Sequence, residues 1–295
     1  MPSWTPLEEQ AARLLVNLAL EEDLGSRGDI TTETLIPAEK TGTASFVARR
    51  PGVVCGEKIA EMVLTQLDNQ AQFRWQVSDG AAVIAGLAFG QVHARLRAIL
   101  SAERTMLNFL QRLSGIATLT HQFVSAVRGL PCIILDTRKT TPAWRILEKY
   151  AVRCGGGHNH RLGLFDGILI KDNHLAALQE LGKDLTYAVA QVRRHFGSQY
   201  PIEVEAENLD QVRQALHSGA DIILLDNMPV EQIRHAVQLR NQIAPTVLLE
   251  ASGGISLENV RTIAETGVDR ISIGALTHSA PALDLALDYQ GQTSH

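Results

Sequence analysis

From residue 130 onward the chain alternates between two periodicities, and few folds accept that pattern. CIILDT, DGILIK, IEVEAE, DIILLDN, TVLLEAS and RISIG are six short apolar runs rich in Ile, Leu and Val. Helix-period segments separate them, for example over 209–218 and 230–241. Strands that alternate with helices pair in parallel, and strands apolar throughout are covered on both faces. The pattern predicts a barrel-like β/α domain over residues 115–276. Closure into a barrel needs at least one strand more than the six, and the sequence does not locate it.

Upstream the periods differ. Leu7, Ala11, Leu14, Leu15 and Leu18 predict a helix over 6–23, and the polar EEDLGSRGDITTETLIP after it reads as a loop. Between 43 and 95, TASFVARR, GVVCG, FRWQV, AAVIAG and AFGQVHARL are β-like runs broken by Gly and Asp. A helical period returns over 102–127, with Ser114-Gly115 as its expected break. The expected domains are 1–114 and 115–276, with 277–295 packing back on the first.

Composition narrows the function classes. Aromatics are 5% and the net charge is −5, which argues against a nucleic-acid or anionic-membrane surface. No apolar stretch approaches the ~18 residues of a membrane helix. The acidic start MPSWTPLEEQ is unlike a secretory signal, and Cys55, Cys132 and Cys154 form no C-x-x-C pair. A cytoplasmic protein is expected.

Each apolar run ends in residues suited to chemistry: Asp136-Thr137-Arg138-Lys139, Lys171-Asp172-Asn173-His174, Glu203 and Glu205, Asp226-Asn227, Ser252-Gly253-Gly254, and Gly274. In β/α barrels the active site is built at the C-terminal strand ends. Charge is concentrated there too, with seven cations against three anions over 138–174. Arg145, Lys149 and Arg153 stand at helical spacing with Glu148, a pattern that equally fits a solvated face. Arg138, Lys139, Arg161 and Lys171 fall at strand ends or in a Gly-rich loop, and guanidiniums bind carboxylate and phosphate through paired hydrogen bonds. The implied substrate is a small polyanion. In GGGHNHRLG (155–163) an anion cradle is favoured over a His-x-His zinc site, because no third ligand stands nearby. Ser252-Gly253-Gly254-Ile255, read as a turn opening a helix, and Gly274 suggest a phosphate site. Glu205 and Asp226 suggest ribose contacts, a magnesium–diphosphate site, or both. Glu203 shares a strand face with Glu205, so one of the pair is expected to be a structural partner.

LDTRKTTPAWRILEKYAVRCGGGHNHRLGLFDGILIKDNH resembles the quinolinate phosphoribosyltransferases. The resemblance extends to EEDLGSRGDITTETLIP, ERTMLNFLQRLSGIAT, IEVEAEN, ADIILLDN, LLEASGGI and ISIGALTHSAPALDLAL, with Ala143 standing where Gly is expected. It implies an α/β protein: an N-terminal α/β sandwich followed by an incomplete seven-stranded β/α barrel, as a homodimer. It implies transfer of phosphoribosyl from 5-phosphoribosyl 1-diphosphate to quinolinate with release of CO2, assisted by Mg2+. Arg138, Lys139, His160, Arg161 and Lys171 would hold quinolinate, with Arg104 reaching in from the neighbouring subunit. Lys139, Lys171, Glu205 and Asp226 would serve the sugar diphosphate and the catalytic step, Glu205 and Asp226 on the metal side. Ser252, Gly253, Gly254 and Gly274 would bind the 5-phosphate.

Other readings stay open at this level. A barrel enzyme acting on a phosphosugar could use Lys171 as a Schiff-base amine, and a paralogous transferase could take another acceptor. A lipoyl-carrier reading of 79–93 fails for want of a Lys at the hairpin tip.

Overall fold

The computed structural model describes residues 2–291. Its elements run α1 (Pro6–Leu24), α2 (Ile30–Leu35), β1 (Thr41–Ala48), β2 (Gly52–Val53), α3 (Glu57–Leu67), β3 (Gln72–Trp75), β4 (Ala82–Val83), β5 (Ala88–Arg95) and α4 (Leu96–Ala126). The alternating part follows as β6 (Ile133–Leu135), α5 (Arg145–Cys154), β7 (Ile168–Ile170), α6 (Asp172–Gln179), α7 (Leu185–Phe196), β8 (Ile202–Ala206), α8 (Leu209–Ser218) and β9 (Ile222–Asp226). It ends with α9 (Val230–Ile243), β10 (Leu248–Ser252), α10 (Val260–Ala264), β11 (Arg270–Ser272), α11 (Ala275–His278) and β12 (Leu285–Gln290). Among the described residues no helix is long and apolar enough to cross a membrane.

The chain forms two compact units. One comprises residues up to 121 with 140–156 and 275 onward, the other 122–139 with 157–274. The boundary expected at 114/115 falls inside α4, which runs through Ser114-Gly115 without the expected break. A Cβ at Gly115 would collide with the Pro281 carbonyl, so this glycine admits a close backbone approach and does not end the helix.

In the first unit the sheet order is β12-β1-β5-β3, antiparallel throughout. Phe46, Trp75 and Phe89 pack on one another on this sheet, with centroids 4.9–6.2 Å apart. The C-terminal strand β12 lies against β1, Ser45 opposite Asp288. Two helices correct the sequence reading. Within the expected loop, α2 forms because the Asp29 side chain accepts the Thr32 N–H at 2.9 Å. Within the β-like stretch, α3 buries Ile59, Ala60, Val63 and Leu64 along one stripe. Its first turn is held from afar, since Asp79 Oδ1 accepts the Gly56 and Glu57 N–H groups at 2.8 and 3.2 Å. Nor is α5 a solvated face. Glu148 and Lys149 are fully buried, Glu148 pairs with Arg112 at 2.7 Å, and Arg153 pairs with Glu8 at 2.8 Å. These charges serve the packing of the first unit.

The second unit holds six parallel strands in the order β6-β11-β10-β9-β8-β7. The last strand pairs with the first, and every other neighbour is the previous strand in the chain. That is the order of a β/α barrel opened between its first two strands. In the gap, His158 forms a single parallel bridge with Leu135, donating its N–H to Ile134 O at 2.9 Å and accepting from Asp136 N–H at 3.2 Å. This bridge is one residue pair outside the named strands.

Candidate active site

The C-terminal ends of the parallel strands carry the site. Past β6, Asp136 is fully buried. Its Oδ1 accepts the His160 backbone N–H at 2.8 Å and its Oδ2 accepts Asn159 Nδ2 at 2.6 Å. A buried carboxylate requires such donors, and these tie the 158–161 segment to the first strand. Thr137 Oγ1 accepts the Lys139 N–H at 3.0 Å, closing the turn from which Arg138 and Lys139 project. Arg161 donates through Nη1 to Gly167 O at 3.2 Å. Burial first, and then the like charge of Arg138, hold the Arg161 guanidinium below its usual range, while Glu203 opposes the shift. Two guanidiniums that repel each other are relieved by a ligand bearing more than one negative charge.

Lys171 follows β7 and places its Nζ 2.8 Å from Glu205 Oε2 on β8. His174 Nδ1 accepts the Lys171 N–H at 2.9 Å, fixing the start of α6. Glu203 and Glu205 are two residues apart on one strand face. Glu205 meets Lys171, whereas Glu203 Oε2 stands 3.0 Å from His160 Nε2. Asp226, ending the adjacent strand β9, accepts from Asn227 Nδ2 at 2.9 Å.

On β10, Ser252 leads into two successive left-handed glycines, Gly253 at φ +89° and Gly254 at φ +61°. Any Cβ at Gly253 would strike the Asn227 side chain, while at Gly254 it would meet nothing. Asn227, itself at φ +53°, donates its N–H to Ser252 O at 2.8 Å. The β9 and β10 turns are therefore interlocked, and Gly254 leaves its backbone open to approach. Gly274 follows β11, next to β10 in the sheet. The expectation that a helix opens at this turn is corrected: α10 begins only at Val260 and is one short turn. The phosphate reading rests on the glycine backbone, without a helix dipole.

The first glycine of the run 155–157 has a packing role. Gly155 caps α5, and a Cβ there would collide with Ala117 O and Thr120, so its smallness serves packing within the first unit. Arg104, on α4, is exposed beside the buried Thr105, Met106 and Leu107. Sequence reasoning missed Glu250. It is fully buried on β10, 3.5 Å from His160 Nε2 and 3.9 Å from Arg270. A lone carboxylate inside LLEAS was the available signal. Burial, and then the neighbouring Glu203, push it up to about 7.

Among the described residues two groups stand close enough to hold a metal: Cys55–Asp79–Cys154 and His160–Glu203–Glu250. His158 is in neither. Glu205 and Asp226 offer hard oxygen donors on adjacent strand ends, the type magnesium prefers.

Cations and carboxylates at parallel strand ends, with an open glycine turn beside them, define an enzyme that handles small phosphorylated anions. The chain belongs to the quinolinate phosphoribosyltransferase family. The family models for the quinolinate phosphoribosyl transferase N-terminal and C-terminal domains match residues 29–114 and 116–288. The nicotinate-nucleotide pyrophosphorylase [carboxylating] of Mycobacterium leprae is 49% identical over 95% of this chain and 98% of its own. A mitochondrial quinolinate phosphoribosyltransferase [decarboxylating] of Nicotiana glauca is 42% identical over 92% of this chain and 80% of its own. Among solved structures, the nicotinate-nucleotide pyrophosphorylase of Francisella tularensis superposes with a TM-score of 0.89 at 40% identity, covering 97% of this chain and 98% of its own.

Proposed function

We propose that this chain transfers the phosphoribosyl group of 5-phosphoribosyl 1-diphosphate to quinolinate. Decarboxylation follows, giving nicotinate mononucleotide, diphosphate and CO2, a step of NAD biosynthesis. Beside family membership, the observation that carries the reading is the mutually repelling pair Arg138 and Arg161, with Lys139 and Lys171 at the neighbouring strand ends. Quinolinate presents two adjacent carboxylates, which match two guanidiniums in charge and in paired hydrogen bonding.

Arg138, Lys139, Arg161 and Lys171, with His160 beside them, hold the pyridine dicarboxylate, and Arg104 joins from a second subunit. Ser252, Gly253, Gly254 and Gly274 take the 5-phosphate on their backbone. Lys139 and Lys171 also face the diphosphate substrate. Glu205 and Asp226 lie on the ribose side, where positive charge develops at the anomeric carbon and carboxylates stabilise it. Glu205 and Asp226 would hold magnesium, which when bound would supply positive charge to neutralise the departing diphosphate. The ring nitrogen attacks the anomeric carbon as the diphosphate leaves. The alkylated ring, now cationic, accepts the electron pair of the breaking C–CO2 bond, and a proton then replaces the carboxylate. No covalent enzyme nucleophile is required. Lys171 suits this role better than that of an aldolase amine, because its Nζ is committed to Glu205 at 2.8 Å. The same reading makes the protein a cytoplasmic homodimer.

Competition between acceptors tests it. Once the substrate covers the half-buried Arg138 and Arg161, leaving one of them without its anion costs roughly 2–5 kcal/mol, so nicotinate should be used at least about 30-fold less well than quinolinate. Release of labelled CO2 from quinolinate, with kcat/KM for both pyridines, is the measurement. Comparable values for the two would favour the paralogous transferase.

A further inference from the structure

Both ring nitrogens of His160 are engaged by the protein. Nδ1 accepts the Arg161 backbone N–H at 2.8 Å, and a ring nitrogen that accepts carries no proton. Nε2 faces Glu203 Oε2 at 3.0 Å and Glu250 Oε1 at 3.5 Å, so the ring proton lies there. The His160 backbone N–H is meanwhile given to the buried Asp136 at 2.8 Å.

We propose that His160 is a positioning residue: a neutral imidazole, protonated on Nε2, that spans the buried Glu203–Glu250 pair and the Arg161 amide and so aims the Arg161 guanidinium at the substrate carboxylate. This rests on the quinolinate reading above and changes one part of it, since His160 then contributes no charge to the pocket.

The surroundings agree from every side. Glu203 comes from β8, Glu250 from β10, Arg270 from β11 and Asp136 from the end of β6, while Arg161 and Arg138 stand on the open side. A doubly protonated ring would turn its Nδ1–H against the Arg161 N–H, two donors head to head. The Glu203 carboxylate also faces Arg161 electrostatically. One buried carboxylate thus steadies both the ring and the guanidinium it aims.

Nitrogen-15 NMR of the full-length protein with labelled imidazole reads the tautomer directly. Between pH 6 and 8, His160 should show one protonated and one unprotonated ring nitrogen, without ligand and after quinolinate is added. An imidazolium in either state would overturn the proposal. Kinetics give the second readout. His160→Leu should raise the quinolinate KM by about tenfold with a smaller change in kcat and in the KM for the sugar diphosphate. His160→Asn, whose Oδ1 can accept the Arg161 N–H, should recover most of that loss. Equal KM values for the two variants would overturn the positioning role, and a Leu variant that fails to fold leaves the NMR result to decide. Wild-type protein that releases no CO2 from quinolinate would refute the proposed activity instead, while the ligand-free tautomer still judges the ring.

Discussion

Ala143 occupies the left-handed region at φ +67°, at the position where the family resemblance calls for glycine. The turn around it is over-determined. Trp144 N–H donates to Thr141 O at 3.1 Å, Thr141 N–H and Oγ1–H donate to Glu148 at 3.1 and 2.9 Å, and Trp144 stacks on Phe109 at 4.9 Å. An L-residue held left-handed costs roughly 1–2 kcal/mol, while glycine adds about 0.4–1 kcal/mol of unfolded-state entropy. Ala143→Gly should therefore stabilise the protein by about 0.5 kcal/mol, a rise of one or two degrees in Tm. A lower Tm would mean that the turn makes room for the methyl group without strain. The departure was visible in the sequence, but its backbone cost was not, since φ is set by contacts from residues 109 and 148. His160 shows the same limit. HNHR marks a functional loop, yet what the ring does depends on Glu203 and Glu250, which lie on strands far along the chain.

At the scale of elements, legibility follows burial. The six parallel strands were readable because most of their residues are apolar and covered, with Glu203, Glu205 and Glu250 among the charged exceptions. The bridge of His158 to Leu135 was not, because one bridged residue carries no period. Helix α3 was missed because Gly56, at φ +117°, and a capping carboxylate 23 residues further on start it, and neither lies in the local pattern. The same helix carries a pH-dependent weakness. Glu57 stands in its first turn, where an acidic group is normally welcome. Here burial, and then Asp79 and Glu61, push it up to about 8, and its Oε1 is buried with no hydrogen-bond partner. A carboxyl whose folded pKa exceeds its unfolded value of 4.5 makes stability fall as pH rises between the two, and the loss is complete above about 8. Glu57→Gln should match the parent at pH 5 and exceed it at pH 9 by about 1 kcal/mol, a figure discounted for partial exposure. Denaturant midpoints at both pH values check this. A gain that is equal at pH 5 and pH 9 would assign it to packing and not to charge.

At the scale of the whole molecule, the proposed function ties Arg104 to assembly. It is exposed on α4 while the three residues after it are buried, so the helix presents a cation on its solvent side. Under the proposed function this cation completes the site of a second subunit, a closed two-fold arrangement in which each chain gives Arg104 and receives it. Arg104→Ala and Lys139→Ala should then each be nearly inactive as pure proteins. In a mixed dimer, one site collects both lesions and the other collects neither. If equal amounts exchange freely, half the dimers are mixed and each has one intact site, so about a quarter of wild-type activity should return. The measurement is CO2 release after denaturation and joint refolding, with mixed dimers verified by affinity tags on the two variants. If verified mixed dimers remain inactive, Arg104 acts within its own subunit or outside the site, and the shared-site dimer is wrong even where the transfer reaction is right.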